Sequence, residues 1–118
     1  MSILLKSDEK VLLTCENLYY LTRDAVNKRY VKIDDRGRCY ITTKRLVLTK
    51  EEGLIKKTEK IIVEIPYENT EGITTEGLLK NKLVITWHDS NKRWDTVLSG
   101  TAIENIGAEL SRQLGYHY

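Results

Sequence analysis

Three adjacent basic pairs are the residues of this chain best suited to chemistry: Lys28-Arg29, Lys56-Lys57 and Lys92-Arg93. Arginine can grip a phosphate through two parallel hydrogen bonds, and lysine adds a mobile point charge. If the pairs converged, they would suit a phosphorylated headgroup or another anion. Asp24, Asp34, Asp35, Glu51, Glu52, Glu59 and Asp89 lie near them in sequence and offset much of that field. Solvated charge of mixed sign is the plainer account of such segments.

Catalytic arrangements are missing from the sequence. It has no nucleophile in a tight elbow, no phosphate-cradling glycine loop and no helical HExxH. Gly72-Ile73-Thr74-Thr75-Glu76-Gly77 has two glycines and precedes no suitable helix, so it reads as a turn or an irregular strand. Asp34-Asp35 and Glu51-Glu52 are adjacent in loops, where their side chains diverge instead of spanning a reacting bond. His88 and His117 are the only histidines, and no Cys or carboxylate cluster completes a zinc site around either. The expectation is a protein that is not an enzyme and that uses no metal or cofactor. Cys15 and Cys39 read as buried, reduced thiols on neighbouring strands, with a single bridge as the alternative if those strands pair.

The 118 residues are enough for one domain with its own core, over residues 1–118. Charged residues make up 31% of the chain, yet the net charge is only +2, so any anion binding is local. That balance, without interleaved exposed aromatics, argues against nucleic acid. Apolar runs such as Ile3-Leu4-Leu5 and Val11-Leu12-Leu13 fall far short of the roughly 20 residues of a membrane helix. The N-terminus has no secretory-signal pattern, so a cytoplasmic location is expected.

The elements that would position the basic pairs are mostly strands. Lys10–Thr22 is aliphatic and aromatic enough for a first strand, and Arg23–Asp35 reads as a long ordered loop in which Tyr30-Val31-Lys32-Ile33 alternates. Gly37–Thr49 reads as two short strands that reverse at Thr42-Thr43-Lys44-Arg45. A charged connection, Lys50–Lys60, leads into the β-branched strand Ile61–Ile65, which Pro66 ends. Leu83–Leu98 is the clearest hairpin. With Asp89-Ser90-Asn91-Lys92 as its loop, His88 faces Arg93 and Trp87 faces Trp94. Leu83, Ile85, Trp87, Trp94, Thr96 and Leu98 then line the core face, while Val84, Thr86, His88, Arg93, Asp95 and Val97 face solvent. Ile103, Ile106, Leu110 and Leu114 recur at helical spacing, with Thr101 and Glu104 placed as a capping box and Gly115 as a left-handed stop. Tyr116, His117 and Tyr118 form an aromatic tail, expected to be packed or disordered.

The hairpin Gly37-Arg38-Cys39-Tyr40-Ile41-Thr42-Thr43-Lys44-Arg45-Leu46-Val47-Leu48-Thr49 resembles the signature of GRAM and related PH-like domains. Glu64-Ile65-Pro66-Tyr67-Glu68-Asn69 is similar to that family's aliphatic-Pro step, and its later strand, polar hairpin and terminal helix also have counterparts here. The likeness runs from Asp8 to Leu114. It implies a mainly β fold, a partly open antiparallel barrel of about seven strands whose two sheets are nearly perpendicular, closed at one end by the C-terminal helix. It also implies that the loops after strands one, three and six gather at the open end, bringing Lys28, Arg29, Lys56, Lys57, Lys92 and Arg93 together. Lys44-Arg45 would then belong to a structural turn.

The resulting expectation is a non-catalytic binding module that meets an anionic partner, a lipid headgroup or an acidic peptide, through those basic loops. Peripheral membrane association would follow from the first. The other reading is a protein-interaction or homo-oligomerising domain with no small ligand, which the same fold also serves.

Overall fold

The computed structural model describes residues 3–115, with side chains described outside residues 30–36. Seven strands form one antiparallel sheet: β1 (Val11–Asp24), β2 (Tyr30–Thr42), β3 (Arg45–Glu52), β4 (Thr58–Pro66), β5 (Thr70–Glu76), β6 (Lys82–His88) and β7 (Arg93–Ser99). A short 3-10 turn, Tyr67–Asn69, joins β4 to β5, and helix α1 (Ile103–Leu114) follows β7. The strand order is β4-β3-β2-β1-β7-β6-β5. β1 carries the closure, pairing along its length with β2 and through Tyr19–Asp24 with β7. β4 and β5 are the two ends of the ladder, so the curled sheet is an open barrel.

Period-two alternation sends Leu18, Tyr20, Cys39, Ile41, Leu46, Leu48, Ile65, Leu83, Ile85 and Leu98 into one cluster, where Ile106 and Leu110 of α1 pack against them. Burying such aliphatic side chains, at roughly 1.5–3 kcal/mol each, is what holds the helix in place. Gly115 ends α1 with φ 73°, the left-handed stop read from the sequence. Thr101 does not cap the helix. The chain enters α1 at Ala102, and no side chain bonds the first turn, so the Thr101–Glu104 box does not form.

Two expected connections are largely strand. Residues Arg23–Asp35 are not a long loop: β1 continues to Asp24 and β2 starts at Tyr30, leaving a five-residue turn. Lys50–Lys60 shrinks to residues 53–57 between β3 and β4. Cross-strand pairing supplied by β1 and β4 overrides the polar composition of these segments. Gly72–Gly77 is mostly β5.

The Leu83–Leu98 hairpin has the expected register, His88 opposite Arg93 and Trp87 opposite Trp94. Its second face does not all meet solvent: Val84, Asp95 and Val97 are buried, and Asp95 is sheltered in an ionic cluster described below. The outer face of β2 and β3 is also covered. Ile3 packs there on Tyr40 and Val47, beside Val11. Glu9, wholly buried, pairs with Arg45, which also reaches Glu64 and the Leu4 carbonyl. Arg45 is therefore structural, as the turn reading implied, but it is a buried residue of β3. Cys15 and Cys39 face each other across β1 and β2, buried and free. The tail Tyr116, His117 and Tyr118 lies outside the described residues.

Candidate functional site

The three turns that carry the basic pairs leave the same end of the sheet. β1 ends at Asp24 opposite Trp94, the second residue of β7, so the β1–β2 and β6–β7 turns are neighbours. β2 runs away from that end and β3 returns towards it, so the β3–β4 turn emerges there as well.

The first two turns are locked together. The Asp24 carboxylate accepts from the backbone N–H groups of Val26 and Asn27, which shapes the β1–β2 turn, and pairs with the Lys92 ammonium at 2.9 Å. Lys92 and those two N–H groups hold the Asp24 carboxyl near pKa 2, below the usual carboxylate range. The Asp89 carboxylate accepts from Asn91 N–H, Lys92 N–H and the Trp94 indole N–H, and the Ala25 N–H reaches the Arg93 carbonyl at 3.2 Å. Lys92 also lies over the Trp94 ring, 4.5 Å from its centroid.

Beneath them, buried Asp95 accepts from Lys28 Nζ at 2.9 Å, Arg23 Nε at 3.3 Å and the Thr86 hydroxyl at 2.7 Å. Burial alone would push the Asp95 carboxyl up, but Lys28, Thr86 and Arg23 together hold it below its ordinary value. Arg23 continues to Glu76 at 2.7 Å.

Of the six expected ligand-binding residues, Lys28 is therefore engaged by Asp95, Lys92 by Asp24 and Arg93 by Glu71 at 2.8 Å. Arg29, Lys56 and Lys57 are exposed and make no ion pair among the described residues. Lys28 and Lys92 brace neighbouring turns, each through its own acid, and among the described residues no hydrogen bond or ion pair joins Lys56 or Lys57 to Lys28, Lys92 or Arg93. Lys57 instead borders a cleft of about 400 Å³ with Glu16, Asn17, Gly37, Arg38, Thr49, Lys50, Glu51 and Glu59. In it Arg38 pairs with Glu59 and Glu16, both at 2.9 Å. Trp87 and Trp94 are half-buried and hydrogen-bonded, Trp87 to Thr96 and Trp94 to Asp89. Among the described residues no three His, Cys, Asp or Glu side chains are placed to hold a metal ion. Nor is any helix there long and apolar enough to cross a membrane.

Sequence reasoning passed over Leu54 and Ile55, both fully exposed at the β3–β4 turn. The available signal was an aliphatic pair stranded in a charged, glycine-led segment with no periodic partner.

A family described as the bacterial PH domain matches residues 5–106. The chain belongs to that family. No curated protein matches it by sequence. Among solved structures, the PH-domain fold seen here is similar to the Vps36 N-terminal PH domain, with a TM-score of 0.68 and 16% identity over 95% of this chain and 83% of that one. It is similar as well to a chain in the structure titled "The 8S snRNP Assembly Intermediate", with a TM-score of 0.65 and 12% identity over 100% of this chain and 91% of that one. At these identities the likeness is one of fold. PH-like domains are typically binding modules for lipids or proteins.

Proposed function

We propose that this PH-family chain is a single, non-catalytic module, close to the GRAM branch, that recognises an anionic partner through the basic turns at one end of its barrel. Placement near that branch rests on the Gly37–Thr49 hairpin, whose β2 and β3 arms carry the GRAM-like pattern. The observation that carries the binding reading is the division among the six basic residues. Three are neutralised by Asp24, Glu71 and Asp95, whereas exposed Arg29, Lys56 and Lys57 have no acidic partner among the described residues and are available to an incoming phosphate or carboxylate. Lys28, Lys92 and Arg93 support the site by fixing two of its turns. Such a module would work at a cytoplasmic membrane face or on an acidic protein segment.

The test replaces Arg29, Lys56 and Lys57 by Glu and measures association with phosphatidylserine vesicles and with a Glu-rich peptide. The triple variant is expected to lose binding to at least one probe, while Lys92→Gln, whose ammonium is already committed to Asp24, loses less. Unchanged binding by the triple variant would refute the reading. Homo-oligomerisation is the second reading, favoured by Ile61, 47% exposed on the terminal strand β4. A solution mass that is a multiple of 13.7 kDa would support it.

A further inference from the structure

We infer that the β3–β4 turn is a bilayer-insertion tip, which makes the anionic partner a lipid membrane and not a soluble polyanion or an acidic peptide. The inference rests on the reading above and adds the identity of the partner.

Leu54 and Ile55 are each 100% exposed. Single exposed aliphatic residues are ordinary, but these two are adjacent in a five-residue turn and have nothing of the protein body against them. Gly53, at φ +117°, sets the turn; an added Cβ there would strike the Lys56 carbonyl, so the backbone geometry is particular to glycine. Lys56 and Lys57 follow directly, exposed and without acidic partners among the described residues.

Two hydrocarbon side chains on a projecting tip, with two ammonium groups one step behind, match the layering of an anionic bilayer. The aliphatic pair reaches the acyl boundary while the lysines stay among the phosphates. A free phosphate or an acidic peptide would satisfy the lysines and leave Leu54 and Ile55 in water.

The molecule contains its own comparator. Gly77-Leu78-Leu79-Lys80 repeats the order Gly, aliphatic, aliphatic, Lys, with Gly77 at φ +99° and Leu78 and Leu79 exposed by 104% and 87%. This turn joins β5 to β6 and so lies at the other end of β6 from the Lys92 turn. Its lysines, Lys80 and Lys82, are separated by Asn81, so it lacks the adjacent pair that stands directly behind Leu54 and Ile55.

The experiment uses the full chain with phosphatidylcholine vesicles, with and without phosphatidylserine. L54S/I55S is expected to weaken association with the anionic vesicles on the order of tenfold for each aliphatic side chain removed. Its thermal melt should match the parent, because neither side chain packs on the fold. Leu54→Trp should add a component of emission that shifts to the blue with anionic vesicles and is quenched by brominated acyl chains. L78S/L79S should bind like the parent.

Parental vesicle binding by L54S/I55S, with loss in K56E/K57E, would overturn insertion and leave anion recognition standing. No loss in either variant would overturn both. Equal loss in L54S/I55S and L78S/L79S would also overturn insertion, since the cause would then be general apolar adhesion. So would a dimer of the free protein that L54S/I55S dissociates, because the occupant of the tip would be a second copy.

Discussion

Arg45 shows how far a single side chain can determine this fold. Its guanidinium joins buried Glu9 and half-buried Glu64, and it also binds the Leu4 carbonyl, which ties residues 3–9 to β3 and β4. The Arg45 hydrogen bonds outweigh burial and hold the Glu9 carboxyl at about pKa 2, against an ordinary 4.5. A depressed acid contributes stability that is complete above its unfolded value and is lost as pH falls towards the folded one. Glu9→Gln should therefore lower stability near neutral pH by on the order of 2–3 kcal/mol, a gap that closes between about pH 4.5 and 2. Thermal melts of both proteins across that range would check it, and a gap independent of pH would refute the assignment. Gly37 is the other decisive position. An added Cβ would run into the Thr49 carbonyl and the Tyr20 ring, so Gly37→Ala should destabilise by roughly 1–3 kcal/mol in urea unfolding. The sequence revealed the basic residues of the candidate site and one of their acids, Asp24, but not Glu71 or Asp95. Asp95 reads as solvent-facing because Arg23 and Lys28, which satisfy it, lie 72 and 67 positions away.

At the scale of elements, legibility followed periodicity. The β6–β7 hairpin and α1 carry strong patterns at periods of two and 3.6, and both elements formed, the hairpin in the register read, although its second face is partly buried and the helix lacks its expected cap. The first half of β2 carries only the short alternation Tyr30-Val31-Lys32-Ile33, followed by the polar Asp34-Asp35-Arg36. Residues Tyr30–Gly37 pair with β1 alone, since β3 joins β2 only from Arg38 to Ile41, so apolar alternation is not required of them. A polar half-edge strand of that kind resembles a loop in one dimension. The failed Thr101 cap has a similar cause. Ala102, at φ −94° and ψ 4°, continues the turn from β7 directly into α1, so Thr101 stands outside the capping geometry. Packing, not capping, must therefore hold the helix. Leu110→Ala, which removes a side chain 1% exposed in the main core, should cost about 2–5 kcal/mol by chemical denaturation. A cost below 1 kcal/mol would mean that α1 is not integral to the barrel.

For the whole molecule, a net charge of +2 gives little long-range attraction, so the proposed recognition rests on local contacts of Arg29, Lys56 and Lys57. Raising salt from low to physiological strength should therefore weaken vesicle association through Arg29, Lys56 and Lys57, which co-sedimentation would register. Insensitivity to salt would exclude an electrostatic contact. The strand order also has a consequence for how the protein is made. Residues Tyr19–Asp24 find their β7 partners only in Trp94–Ser99, and Thr22 bonds a threonine hydroxyl 74 positions later. A ribosome delivers the chain from its N-terminus, so β1 emerges early and then waits with one flank open while most of the barrel is translated. The β1 ladder can therefore be completed only once Ser99 has cleared the exit tunnel.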